Sequence, residues 1–134
     1  MNHNLGILGI ARKAGLLAIG GDAVNSAARN GKAQLIITTC DASEGSARRA
    51  KMCADSSGAV YTAVHYTKDE IGSITGRGSP GTIAILDAGL AAGFMKGLAE
   101  LQPDRYTEPA EQLVSTAEAL KERKKTTAKR RTAQ

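Results

Sequence analysis

Apolar residues recur with two different spacings along the first hundred residues of this chain. Apolar positions three and four residues apart predict amphipathic helices, and the short apolar runs between them predict strands. The predicted helices cover 3–14, 22–30, 41–58, 67–75 and 87–98, and the predicted strands cover 16–19, 33–39, 59–65 and 82–86. This alternation predicts an α/β fold, a compact three-layer α/β/α sandwich with a small four-stranded mixed sheet.

Small polar residues stand in front of four of these helices. Asp22, Asp41, Thr67 and Asp87 each precede a predicted helix, where a side-chain oxygen can accept a hydrogen bond from an unpaired backbone N–H. Thr67 is followed three residues later by Glu70, which is the pattern of a capping box. We therefore expect helix capping to account for all four residues.

The positive charge is concentrated at the C-terminal end. The chain has a net charge of +5, and residues 121–131 alone contain seven basic residues and one Glu. We predict one domain over 1–99, a linker over 100–107, and a short amphipathic helix with a basic disordered tail over 108–134. Such a tail contacts phosphates without regard to sequence. The alternative is that it serves only solubility.

Residues typical of catalysis and metal binding are sparse in the sequence. Cys40 and Cys53 form no CxxC pattern and predict buried free thiols. His3 and His65 are the only histidines, and no nucleophile–base pair follows from their spacing. We expect a protein that is not an enzyme and needs no cofactor or metal. The sequence has no signal-peptide pattern and no apolar run of membrane-spanning length, so we expect a cytoplasmic protein without a membrane partner.

The double glycine Gly20-Gly21 lies between a predicted strand and a predicted helix. The first N–H groups of a helix are unpaired and attract anions, and glycine allows a backbone to approach closely. The stretch matches neither the dinucleotide-binding pattern nor the phosphate-binding loop of nucleotide hydrolases. It therefore remains open here whether Gly20-Gly21 forms a plain turn or contacts a polyanion such as RNA.

Three stretches of the sequence resemble one protein family. The stretch LGILGIARKAGLLAIGGDAVNSAARNGKAQLIITTCDAS, followed by YTKDEIG and GTIAILDAGLA, is similar to the bacterial branch of the L-seven-Ae / L-thirty-e ribosomal-protein family. The resemblance covers residues 4–99. It implies a three-layer sandwich that binds kink-turn RNA, in which sheared G·A pairs in an internal loop bend the duplex sharply.

The resemblance also implies which residues contact RNA. The family's signature begins with a glycine at the mouth of the second helix, here Gly20, and continues through Gly21 into the helix. Asp22 stands at the family's Asn position, Ala23 at its Glu or Gln position and Ser26 at its Lys position. The frame of the signature is therefore present, while Ala23 and Ser26 lack the side chains that contact the G·A pairs.

A second RNA-facing element maps to His65, Tyr66, Thr67 and Lys68, where either ring could stack on an extruded base. The basic pair Arg12 and Lys13 completes the set of candidate RNA contacts. We expect a monomer that binds structured RNA, either ribosomal RNA or another kink-turn RNA. The alternative is a protein-interaction module of the same fold that has lost kink-turn specificity.

Overall fold

The computed structural model describes residues 3–76, 78, 80–106 and 109–113. Helices and strands alternate along this part of the chain, in the predicted order. The elements are α1 (His3–Lys13), β1 (Leu17–Ile19), α2 (Gly21–Arg29), β2 (Leu35–Thr38), α3 (Glu44–Ser57), β3 (Val60–Ala63), α4 (Lys68–Thr75), β4 (Thr82–Ile85) and α5 (Ala88–Leu101).

The four strands form one mixed sheet in the order β1-β4-β2-β3. Strands β2 and β3 are parallel, and β4 runs antiparallel to both of its neighbours, β1 and β2. In this register Thr38 lies opposite both Thr82 of β4 and Ala63 of β3. The predicted mixed sheet is confirmed.

Helices cover both faces of the sheet, which confirms the three-layer α/β/α sandwich. On one face α1, α4 and α5 pack large side chains, such as Leu8 and Phe94, against Leu35 and Ile37. The α2 and α3 face is built mainly from alanines around Ile36. Full burial of a Leu, Ile or Phe contributes about 1.5–3 kcal/mol. The face with α1, α4 and α5 therefore provides most of the hydrophobic stabilisation.

Two of the four predicted caps are confirmed. The Thr67 side chain accepts from the N–H of Glu70 while the Glu70 side chain accepts from the N–H of Thr67, which forms a complete capping box. Asp87 accepts from the N–H of Leu90 at 2.9 Å. Both helices therefore begin where the sequence pattern placed them.

The other two predicted caps are wrong. Ser43, and not Asp41, caps α3 by accepting from the N–H of Ser46. The Asp41 carboxylate instead reaches across to α4 and accepts from the N–H of Lys68 at 2.9 Å. Helix α2 begins at Gly21, so Asp22 lies inside its first turn and does not cap it.

The predicted linker 100–107 differs from the structure. Helix α5 continues to Leu101, and residues 103–106 form a further helical turn. Tyr106 is fully buried, and its hydroxyl donates to the carbonyl oxygen of Ala63 at 3.4 Å. Ala110 and Leu113 are buried in the same core, because this segment supplies apolar side chains that cover it. The rest of the predicted 108–134 extension, including the basic tail, lies outside the described residues.

Among the described residues, no helix is long and apolar enough to cross a membrane. The same part of the chain contains no group of three or more His, Cys, Asp or Glu side chains placed to hold a metal ion.

Candidate functional site

Three helices begin at the same edge of the sheet. Helices α2, α3 and α4 follow β1, β2 and β3 in turn, and the register places the carboxyl ends of these three strands beside the start of β4. We call this the helix-start edge. Because a helix has a partial positive charge at its N-terminus, three such termini make this edge attractive to anions.

The connection from β1 to α2 depends on glycine at position 20. Gly20 has φ 94° and ψ 157°, a combination that is essentially restricted to glycine. Its N–H donates to the carbonyl oxygen of Thr82 at 2.9 Å, which fixes the turn to the start of β4. Gly20 is the N-cap residue of α2. The double glycine is therefore a turn whose geometry the sheet determines.

The N-terminus of α2 has no side-chain cap. By contrast, Ser43, Thr67 and Asp87 cap α3, α4 and α5. The first backbone hydrogen bond within α2 runs from Val24 to Gly20, so the three preceding N–H groups, at residues 21–23, have no acceptor within the helix. Helix α2 therefore offers unpaired donors at the helix-start edge.

A groove of about 710 Å³ runs between α2 and α3 and opens at this edge. Gly21, Asp22 and Asn25 line it from α2, and Arg49 and Cys53 are among the α3 residues that line it. The two helices are joined in this region by a hydrogen bond from the Cys53 thiol to the Asn25 side-chain oxygen at 3.6 Å. The groove walls are therefore polar for much of their length.

Lys68 and Gly81 line the groove where it opens at the helix-start edge, which we call its upper end. The Lys68 side chain lies against Gly81, since a Cβ at position 81 would come within 3.4 Å of its Cε. With Arg49, Lys68 gives the groove two cationic side chains against the single carboxylate of Asp22. The groove therefore has an excess of positive charge next to the unpaired N–H groups of α2.

Asp41 lies beside Lys68 and accepts a hydrogen bond from its backbone N–H. Partial desolvation by itself raises the pKa of Asp41. The hydrogen bonds to its carboxylate, above all the one from the Lys68 N–H, outweigh that effect together with the positive charge of Lys68. The pKa of Asp41 therefore lies below its usual value. The contact fixes the loop after β2 to the start of α4, and so fixes the position of Lys68.

The predicted pair of stacking rings separates into one exposed and one buried ring. His65 is exposed, whereas Tyr66 is only 1% exposed and belongs to the main core. The two ring centroids are 4.2 Å apart with an interplanar angle of 42°. Tyr66 therefore packs against the His65 ring and cannot itself stack on a base. The expectation that either ring could stack is corrected: only His65 is accessible. Thr67 is occupied as the cap of α4.

The remaining predicted site residues lie on other surfaces. Ala23 and Ser26 are exposed on α2, outside the residues that line the groove. Arg12 and Lys13 end α1, which leads into the start of β1, whereas the helix-start edge lies at the other end of that strand. The Arg12 guanidinium lies beside Gly76 at the C-terminus of α4, where a cation is favourable to the helix. The structure does not bring this basic pair to the candidate site.

Sequence reasoning missed the contribution of Arg49. The pair Arg48-Arg49 has the pattern of ordinary surface charges, and both residues are exposed. Arg49 nevertheless shares one face of α3 with Ser46, Cys53 and Ser56, at spacings of three, four and seven residues, and all four line the groove. That spacing was the signal in the sequence that could have placed Arg49 in the site.

Comparison with known proteins supports the fold and nothing further. A solved structure of a protein with unknown function from Bacillus halodurans C matches this chain with a TM-score of 0.67 and 23% sequence identity, over 73% of this chain and 98% of that one. No protein-family model and no curated protein matches the sequence. At this level of identity the likeness concerns the arrangement of helices and strands alone.

Proposed function

We propose that this chain is a cytoplasmic, ribosomal-type protein that binds structured RNA, with a kink-turn as the best candidate, through the helix-start edge. The observation that carries the proposal is the uncapped N-terminus of α2. Its first three N–H groups, at residues 21–23, have no acceptor within the helix, and Gly21 and Asp22 line the same groove as Arg49 and Lys68. Backbone N–H groups and basic side chains are the usual donors to phosphate oxygens in protein–nucleic acid contacts.

The family resemblance supports the same surface. It places the RNA-reading helix at Gly20, and that residue forms the turn into the uncapped helix. Exposed His65 follows β3, whose carboxyl end lies at the same helix-start edge, and is available for stacking on an unpaired base. Ala23 supplies no base-edge acceptor and Ser26 supplies no positive charge, so phosphate contacts carry most of the affinity and kink-turn selectivity is modest.

The proposal is tested with two charge-removing variants on α3. Arg49→Gln removes a cation from the groove, whereas Lys51→Gln removes a cation from an exposed position on the same helix that does not line it. A charge-assisted hydrogen bond contributes about 1.5–3 kcal/mol, so loss of the Arg49 contact weakens binding about tenfold or more. Lys51→Gln is expected to change affinity about twofold or less, through long-range attraction alone.

The measurement is fluorescence anisotropy of a labelled kink-turn RNA over a series of salt concentrations. The slope of log affinity against log salt should fall by about 0.7–0.9 for each phosphate contact that is lost. Arg49→Gln should therefore flatten the slope and Lys51→Gln should leave it unchanged. Equal effects of the two variants would mean that RNA does not meet this surface. Absence of binding to any structured RNA would favour the alternative of a protein-interaction module.

A further inference from the structure

The groove between α2 and α3 extends well beyond the helix-start edge. Its lining on α3 runs from Ser46 to Ser56, which corresponds to about 15 Å of helix. Lys68, Arg49 and the first turn of α2 lie towards its upper end. Asn25, Met52 and Ser56 line it further along the two helices. The two ends therefore differ in chemistry.

The lower end combines an apolar surface with hydrogen-bonding groups. Met52 is 63% exposed, which is unusual for a large apolar side chain, and a methionine thioether makes favourable contacts with aromatic rings. The Asn25 oxygen accepts from Cys53, which leaves its amide hydrogens as donors. The Ser56 hydroxyl donates to the carbonyl oxygen of Met52 at 2.8 Å and can still accept a hydrogen bond. A planar ring with polar edges fits this combination.

The upper end suits a phosphate group. Arg49 and Lys68 are cationic, and the unpaired N–H groups of α2 lie beside them. Asp22 also lines the groove, and its carboxylate can only accept hydrogen bonds, which favours a sugar hydroxyl as its neighbour. The groove volume of about 710 Å³ lies in the range of small-molecule sites.

We propose that this groove binds a single unpaired nucleotide, with its phosphate at Arg49 and Lys68 and its base against Met52. The ligand chemistry has two sources, a free nucleoside monophosphate and an unpaired residue of a bound RNA. For the second source the inference rests on the proposed function. Ala23 and Ser26 lie outside the groove, so this contact is separate from the positions on α2 at which the resembled family reads G·A pairs.

The first test is a nuclear magnetic resonance titration of the full chain with uridine and adenosine monophosphates. Amide signals of residues 21–25 and 49–56 are expected to shift together. Adenosine without its phosphate should bind about tenfold more weakly, because it lacks the charge-assisted contacts to Arg49 and Lys68. Shifts confined to other surfaces, or equal binding with and without phosphate, would overturn the inference.

Two matched variants examine the lower end. Ser56→Trp fills the groove from an exposed position on α3, and Asp55→Trp adds the same side chain at the next residue, which is exposed and outside the groove lining. Ser56→Trp should weaken nucleotide binding about tenfold or more, whereas Asp55→Trp should leave it unchanged. Asn25→Ala, which adds no bulk, should weaken binding about fivefold and serves as the second variant if the Trp substitution lowers stability.

A binding experiment with two RNAs distinguishes this inference from the proposed function. A kink-turn RNA with an unpaired nucleotide is compared with the same RNA lacking it, on wild-type protein and on Ser56→Trp. The inference expects Ser56→Trp to weaken only the first RNA. RNA binding that is insensitive to Ser56→Trp, together with no binding of monophosphates, would overturn the groove inference and leave the proposed function standing. Monophosphate binding without binding of either RNA would support the groove and overturn the proposed function.

Discussion

The two adjacent glycines at the start of α2 should respond in opposite directions to the same substitution. Gly20 has φ 94°, whereas Gly21 begins the helix and does not have a positive φ. An added Cβ at either position would meet no heavy atom within 4 Å, so neither substitution creates a clash. The difference between them therefore isolates the cost of the backbone conformation.

The magnitudes follow from that geometry. An alanine held in the conformation of Gly20 costs about 1–3 kcal/mol. In both variants alanine reduces the conformational entropy of the unfolded chain, which stabilises the folded state by about 0.4–1 kcal/mol. Gly20→Ala should therefore destabilise the protein by about 1 kcal/mol and by at most about 2.6 kcal/mol. Gly21→Ala should stabilise it by about 0.5–1 kcal/mol, since alanine is the better helix former.

Urea denaturation followed by circular dichroism measures both variants against wild type. The unfolding midpoint should fall for Gly20→Ala and rise for Gly21→Ala with unchanged slopes, because neither substitution alters the surface exposed on unfolding. Midpoint shifts of the same sign and similar size in the two variants would refute the assignment of a glycine-only turn at position 20.

Three further predictions concern the surroundings of the site. Thr67→Ala removes the cap of α4 and should lower the free energy of unfolding by about 1 kcal/mol in the same urea assay, and no change would contradict the cap. The pKa of Asp41 in the folded protein lies below its ordinary value of 3.8, so its contribution to stability is present above that pH and is lost as the pH falls through the folded pKa. Asp41→Asn should therefore weaken the acid dependence of the unfolding midpoint below pH 5, and an unaltered pH profile would exclude this role. Tyr106→Ala should destabilise the protein by about 3–5 kcal/mol in urea denaturation, because the ring is fully buried, whereas Tyr106→Phe should cost about 1 kcal/mol. Small effects of both would mean that Tyr106 does not complete the core.

Local patterns in the sequence predicted the elements well, because apolar spacing and capping residues act over a few positions. Thr67 with Glu70, and Asp87, illustrate this, since each caps the helix that follows it directly. The sheet order could not be predicted in the same way. Strand β4 lies between β1 and β2, which are consecutive in sequence, and that arrangement depends on packing across the whole domain.

The site was predicted less completely, mainly because it depends on contacts between residues that are far apart in sequence. Asp41 acts on Lys68, which lies 27 residues further along the chain, and no local pattern indicates such a contact. The burial of Tyr66 was available from the sequence, because Val64 and Tyr66 occupy alternate positions and both face the core, leaving His65 exposed. The groove combines residues of α2, α3, α4 and the loop before β4, so only the folded structure brings them together.

The most direct test of the proposed function compares two RNAs that differ only in their G·A pairs. Anisotropy titrations of wild-type protein would use a kink-turn RNA and the same RNA with the tandem G·A pairs converted to Watson–Crick pairs. The proposal assigns most of the affinity to phosphate contacts at the α2 N-terminus, so it predicts that both RNAs bind. It also predicts that the kink-turn binds about five- to tenfold more tightly, because the straight duplex must be bent to make the same contacts. Equal affinity for the two RNAs would contradict recognition of a kinked RNA, and no binding to either would contradict the RNA-binding function itself.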